Sequence, residues 1–208
     1  MKRQLHAQKI TKDHFNLPWD EERLRDSLCV AYITEVYHRA RQVVDEDVVF
    51  DNMQLVAKAL KAPAAKNCIV LCGLCGNGKT TTMYAFQNLI NLMRNKGEIN
   101  KDFGFWIEDA KDLAISATNN YDTFKKICSK PLLGIEDMGR EPAEILVYGN
   151  KVNPMIDLME RRYNEQRFTF ITTNLTPQEI SERYGKRVAD RLNEIAKVVV
   201  FKNKSFRF

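Results

Sequence analysis

A short apolar run, Ile69-Val70-Leu71-Cys72, leads into Gly73-Leu-Cys-Gly-Asn-Gly-Lys-Thr80, and apolar residues then recur at Met83, Phe86 and Leu89. The spacing G-x-x-x-x-G-K-[ST] between a strand and a helix commits this part of the chain to one local fold. The glycines let successive backbone N–H groups turn inward, the helix amino end adds its dipole, and the lysine reaches outer anionic oxygens. Such a loop cradles phosphate groups. The residues expected around them are Gly73, Gly76, Asn77, Gly78, Lys79, Thr80 and Thr81, with the Thr80 hydroxyl suited to ligate magnesium.

The rest of the chain continues the alternation. Apolar runs at residues 68–71, 103–107, 132–135, 168–172 and 198–201 are separated by helix-like stretches, the pattern of a parallel sheet covered on both faces. Ahead of them, residues 20–42 carry Leu24, Leu28, Ala31, Tyr32 and Val36 at helical spacing behind Asp20, Glu21 and Glu22. A second helix is expected over residues 51–61, stopping at Pro63. Asn153 and Pro154 form a helix start, and residues 146–154 read as a loop ahead of it, lining a subunit interface being the alternative. At 208 residues the chain has room for one substantial core plus an extension. The expected division is a helical extension, 1–63, and an α/β domain, 64–208.

Hydrophobic content of 44% and charged content of 28% are those of an ordinary globular protein. No apolar run approaches the ~20 residues that span a bilayer. The opening residues, through about position 18, are polar and basic but lack the apolar core and cleavage site of a secretory signal. A cytoplasmic protein without membrane contact is expected. Of the five cysteines, Cys72 and Cys75 form a C-x2-C with Cys68 upstream, and Cys29 and Cys128 are isolated. No second ligand pair follows at zinc spacing, so they read as core and loop thiols. The net charge of +5 permits contact with nucleic acid without demanding it.

Three further groups fit phosphate chemistry. Glu136 and Asp137 follow the third apolar run, where one carboxylate can bind magnesium and its neighbour orient an attacking water. Asn174 ends the fourth run, suited to hold that water and report the γ-phosphate. Arg187 and Arg191 lie four apart, hence on one helix face. They are either solvated or directed at a phosphate, their own or a neighbouring subunit's.

With these elements in this order, residues 64–208 resemble the DnaC/IstB family of AAA+ ATPases, the bacterial helicase loaders and transposition helpers. The resemblance rests on GLCGNGKT, LLGIEDMG, ITTNLTP, GKRVADRL and VVVFKNKSFRF. It implies a three-layer α/β/α AAA+ core with five parallel strands in the order 5-1-4-3-2 and no carboxy-terminal lid domain. By position it assigns Lys79 and Thr80 to the first nucleotide motif, Glu136 (a magnesium ligand with Thr80) and Asp137 to the second, and Asn174 to the sensor. Arg191, with Arg187 as companion, takes the place of the arginine that completes a neighbour's site.

The implied cofactors are ATP and Mg2+. The implied partners are single-stranded DNA, a replicative helicase or a transposase, and further copies of the chain in a nucleotide-dependent homo-oligomer. After the second strand, Lys111, Lys125 and Lys126 are candidate phosphate contacts and Tyr121 and Phe124 candidate stacking groups, a solvated helix face over core aromatics being the alternative. Trp19, Leu24, Leu28 and Tyr32 of the extension either present a partner-binding face or pack on the chain's own ATPase domain. A small-molecule or nucleotide kinase is the reading from another class; it needs an acceptor pocket and an arginine-rich lid, where this chain offers Asn174 and the Arg187/Arg191 pair.

The acid pair reads Glu-Asp, where the family's order is Asp followed by Asp or Glu. A longer carboxylate thus stands at the metal position and a shorter one at the water position. Slow ATP hydrolysis by the isolated protein is expected, and a brisk steady-state rate would contradict it.

Overall fold

The computed structural model describes residues 15–62, 66–147 and 149–207; the basic opening stretch up to residue 14, and the expected boundary at 63/64, lie outside them. Strand β1 (Cys68–Gly73) is buried along almost its whole length. Ile69 and Leu71 enter one apolar layer while Cys68, Val70 and Cys72 enter the other, the two-residue alternation of a pleated strand. Burial on both faces is why the run is continuously apolar.

β1 pairs in parallel with β6 (Phe168–Thr173) on one side and β7 (Ala196–Phe201) on the other. Beyond β6 lie β3 (Leu132–Met138) and then β2 (Phe105–Asp109). The order β2-β3-β6-β1-β7, with the five sheet strands counted alone, is the expected 5-1-4-3-2 read from the opposite edge. The difference lies in residues 146–154, expected as a loop. Ile145–Val147 (β4) and Asn150–Val152 (β5) form a small antiparallel ladder. Each of its strands is three residues long, and only Val147 among them is buried, so no apolar period marks it in the sequence.

Helices α1 (Glu21–His38), α2 (Glu46–Leu60) and α3 (Lys79–Asn95) cover one face. The other is covered by α4 (Ala110–Asn119), α5 (Tyr121–Cys128), α6 (Pro154–Glu165), α7 (Pro177–Tyr184) and α8 (Lys186–Ile195). Asn153 caps α6 as expected, accepting from the Met155 and Ile156 N–H groups at 3.0 and 3.1 Å. Trp19, Leu24, Leu28 and Tyr32 are buried in the same core as Ile69, Phe86 and Phe168. At roughly 2 kcal/mol of transfer free energy for each large apolar side chain, this face is used up within the chain.

Arg162 of α6 is 1% exposed. It donates to the Thr169 hydroxyl and the Cys128 and Lys130 carbonyls, each at 2.8 Å, and to the Phe168 carbonyl. Burial lowers its pKa to about 10. One side chain therefore ties α6 and the turn before β3 to the start of β6.

The first helix stops at His38 rather than running on to Gln42. Ala40 adopts φ +52, and Ala40 and Arg41 donate back to Tyr37 and Val36 at 2.9 and 3.2 Å. This is a Schellman closure with alanine where glycine is preferred. The second helix starts earlier than expected because Asp45 caps it, accepting from Val48 N–H at 3.0 Å. A left-handed alanine costs roughly 1–2 kcal/mol, offset in part by the entropy of a glycine. Ala40→Gly should therefore raise unfolding stability by about 1 kcal/mol in a urea titration, and a loss of stability would contradict this closure.

Candidate functional site

Parallel strands deliver their carboxyl ends to one edge of a sheet, where α/β folds place their ligand sites. β3, β6 and β1 are neighbours here, so the residues immediately after each strand meet in one place. A cavity of about 270 Å³ lies there. Residues 75–81, Glu136, Asp137 and Asn174 line it, together with Arg140, the α1–α2 connection, Phe206 and Arg207.

Lys79 is 4% exposed. Its ammonium donates to the Gly73 and Leu74 carbonyls, each at 2.7 Å, and to Asn77 Oδ1 at 3.0 Å. Burial lowers its pKa, with the nearby Asp137 charge opposing. α3 begins without a side-chain cap behind Gly78, which has φ +99. A Cβ at Gly78 would stand 2.5 Å from Tyr32 Oη and 3.3 Å from the Phe206 ring. The helix's first N–H groups and its dipole thus open on the cavity, the arrangement that binds anions. Tyr32 has its phenol pushed up to about 12 by burial, and its hydroxyl pairs with that of Thr81.

The two acids reach the cavity through an irregularity. Ile135 pairs with Ile171 and Met138 with Thr173, so Glu136 and Asp137 together oppose Thr172. This is a β-bulge. In a regular strand consecutive side chains point to opposite faces, whereas here both line one cavity. Asp137 sits at φ +54, and its N–H donates to the Thr172 hydroxyl at 2.9 Å. Its carboxylate pairs with Arg140 at 2.6 Å. Glu136 is half-buried, and desolvation raises its pKa against a hydrogen bond from the Thr80 hydroxyl. Thr80 and Glu136 together offer the hard oxygen donors that magnesium takes alongside phosphate.

Asn174 follows β6 directly. The Thr173 hydroxyl donates to the Met138 carbonyl at 2.7 Å and accepts from Leu175 N–H at 3.0 Å, which binds the end of β6 to the end of β3. Buried Glu141 steadies the same turn: it accepts from Gly139 N–H at 2.8 Å and from the Tyr184 hydroxyl, and Arg183 lies at 3.5 Å.

Gly73 lies at the base of the loop, where its carbonyl accepts from Lys79. Arg187 and Arg191 are not brought to this cavity. Both pair with Glu160 of α6, at 3.1 and 3.0 Å, and Arg191 lies over the Tyr163 ring at 4.8 Å. Phe124 is fully buried, so of the two alternatives for that ring the core holds. Tyr121 stacks on it at 5.5 Å, Lys125 pairs with Asp122 at 3.3 Å, and Lys111 and Lys126 are exposed. Arg39, Arg140 and Arg207 also line the cavity; Arg207 belongs to the VVVFKNKSFRF stretch that carries the resemblance, while Arg39 and Arg140 were not singled out by the sequence. Arg140 had a signal, three residues after an acid in a turn; Arg39 had none, being one basic residue among several.

Among the described residues the five cysteines are free, with Cys75 exposed at the loop. Likewise, no group of three His, Cys, Asp or Glu side chains forms a protein-only metal site, and no helix is long and apolar enough to cross a membrane.

No protein-family model and no curated protein matches the chain, but solved structures do. It is similar to the DnaC helicase loader at TM-score 0.54 and 19% identity, over 76% of this chain and 91% of that one. It is similar to DnaI at TM-score 0.57 and 17% identity, over 79% and 87%. The replication initiator DnaA bound to AMPPCP and single-stranded DNA matches at TM-score 0.52 and 18% identity, over 73% of this chain and 46% of that one. The fold is thus the AAA+ phosphate-loop fold.

A carboxyl group whose pKa is raised in the folded state favours folding when protonated, and this contribution is lost as pH rises through the folded value. Glu136→Gln should therefore raise the thermal midpoint at neutral pH and leave it unchanged below pH of about 4. A midpoint gain that is the same at both pH values would contradict the burial of this charge.

Proposed function

We propose that the chain is an ATP-binding and hydrolysing AAA+ protein of DNA replication, a DnaC-like helicase loader that assembles on single-stranded DNA with a replicative helicase. The observation that carries this reading is the convergence of Lys79, Thr80, Glu136, Asp137 and Asn174 on one cavity at the carboxyl edge of the sheet. The similarity to the DnaC loader, and to a DnaA structure bound to a nucleotide analogue and single-stranded DNA, supports the extension to replication. A transposition helper with the same engine is the alternative, separated by whether the chain binds a helicase or a transposase.

In this reading the loop N–H groups and Lys79 hold the β- and γ-phosphates, Lys79 exchanging its bonds to loop carbonyls for bonds to phosphate oxygen. Thr80 and Glu136 would hold Mg2+, which when bound neutralises phosphate charge. Asp137 orients the attacking water, and Asn174 holds it against the γ-phosphate. Arg191 and Arg187 act on the site of a neighbouring copy. Arg187, with 73% of its side chain exposed, is free to swing out; Arg191, at 18%, must leave Glu160 and the Tyr163 ring. Binding and release of the partner follow from the nucleotide's different affinity for the assembled and free states.

The test is the specific ATPase rate against protein concentration, with and without single-stranded DNA. The rate should climb with concentration and shift with DNA. Lys79→Ala should remove nucleotide binding. Arg191→Ala should keep binding and cut the assembled rate by about 10³-fold. A flat, DNA-indifferent rate would overturn the shared-site reading.

A further inference from the structure

After β7 the chain turns back over the phosphate loop and is fastened there. Asn77 Nδ2 donates to the Phe201 carbonyl at 3.1 Å, Asn203 Nδ2 to the Asn77 carbonyl at 3.2 Å, and Phe206 N–H to the Gly76 carbonyl at 2.9 Å. Asn203 is itself held by Asn52 of α2, at 3.1 Å. The approach is close: a Cβ on Gly76 would collide with the Ser205 hydroxyl and stand 3.2 Å from Arg207 Cγ and Cδ. The Arg207 side chain therefore sets out from the loop itself and lines the same cavity as Lys79.

Among the described residues no carboxylate pairs with Arg207. Its guanidinium meets Cys75 Sγ at 3.7 Å, a weak acceptor, and its backbone N–H donates to the Ser205 hydroxyl at 3.2 Å. Asp137, an acid of the same cavity wall, is already paired with Arg140. Arg207 and Lys79 act on one another as like charges, the arginine adding to burial in lowering the lysine's pKa. Asp137 offsets part of the lysine's charge while engaged with Arg140, but the two cations still repel one another, and an anion bound between them relieves the repulsion.

We propose that Arg207 is a second phosphate-binding cation of this site, delivered in cis by residues 202–207 and acting with Lys79 on the polyphosphate of the nucleotide. The inference rests on the reading of the cavity as a nucleotide site. A guanidinium supplies a planar fork to two phosphate oxygens, where Lys79 supplies a point charge. The bonds from Asn203 and Phe206 hold the segment in place beforehand, so less freedom is lost on binding.

The experiment is an equilibrium titration with a fluorescent ATP analogue, competed by inorganic tripolyphosphate, on the full chain. Lys79→Ala and the thermal midpoint of each unliganded variant serve as controls. Arg207→Gln should weaken both the analogue and tripolyphosphate by about tenfold or more. Arg207→Lys should recover part of the loss, with midpoints unchanged. Equal affinities for wild type and Arg207→Gln, or equal affinities for the Gln and Lys variants, would overturn the role of the guanidinium. If the wild-type chain bound neither probe, the reading of the cavity itself would fail, and this inference with it.

Discussion

Asn77 is fully buried in the loop after β1 with both ends of its amide engaged. Oδ1 accepts from the Lys79 ammonium, Nδ2 donates to the Phe201 carbonyl at the end of β7, and the backbone carbonyl accepts from Asn203. Most of the site's arrangement passes through this one residue. The lysine is steadied by it, the far edge strand is bonded to the loop by it, and the segment carrying Arg207 is laid over the loop from it. Removing the amide would leave polar groups unpaired inside the fold, at about 1–3 kcal/mol for each such group. The loop is thus not an autonomous motif: part of its bonding comes from the end of β7, which lies beside β1.

A second dependence runs along the sheet. One extra residue in β3 turns two consecutive acids toward the same cavity, and Thr172 of β6 receives the displaced Asp137 N–H. Thr173 then bonds back to the end of β3, which sets Asn174 beside the acids. The strain of a left-handed aspartate and the desolvation of Glu136 are both unfavourable taken alone. They persist because buried Glu141 and the α7 side chains it holds over-determine the surrounding turn. The first two helices complete the enclosure, through Tyr32 against Gly78 and Thr81 and through the connection that Ala40 turns toward the loop.

Local signals carried much of this. The five apolar runs, the cap at Asn153, the acidic start of α1 and the phosphate loop were each legible because every one is a short-range pattern with a period or a fixed spacing. Boundaries were less so: α1 ends at a left-handed alanine, a conformation whose usual marker is glycine. The β4–β5 ladder left no sequence signal because its strands are three residues each and bury only Val147. Arg187 and Arg191 have the spacing of a functional pair, yet within one chain they bond to Glu160, and no spacing in α8 foretells a partner on α6.

The order of motifs along the chain was sufficient for the sheet, its parallel direction and the residues of the phosphate loop, because a strand, a glycine turn and a helix start are dictated by neighbouring residues. Which acids share a face, which helices wall the cavity, and that Arg207 returns to a loop more than a hundred positions earlier depended on contacts between distant segments. Those contacts are set by strand register and by burial, to which no local pattern in the chain corresponds.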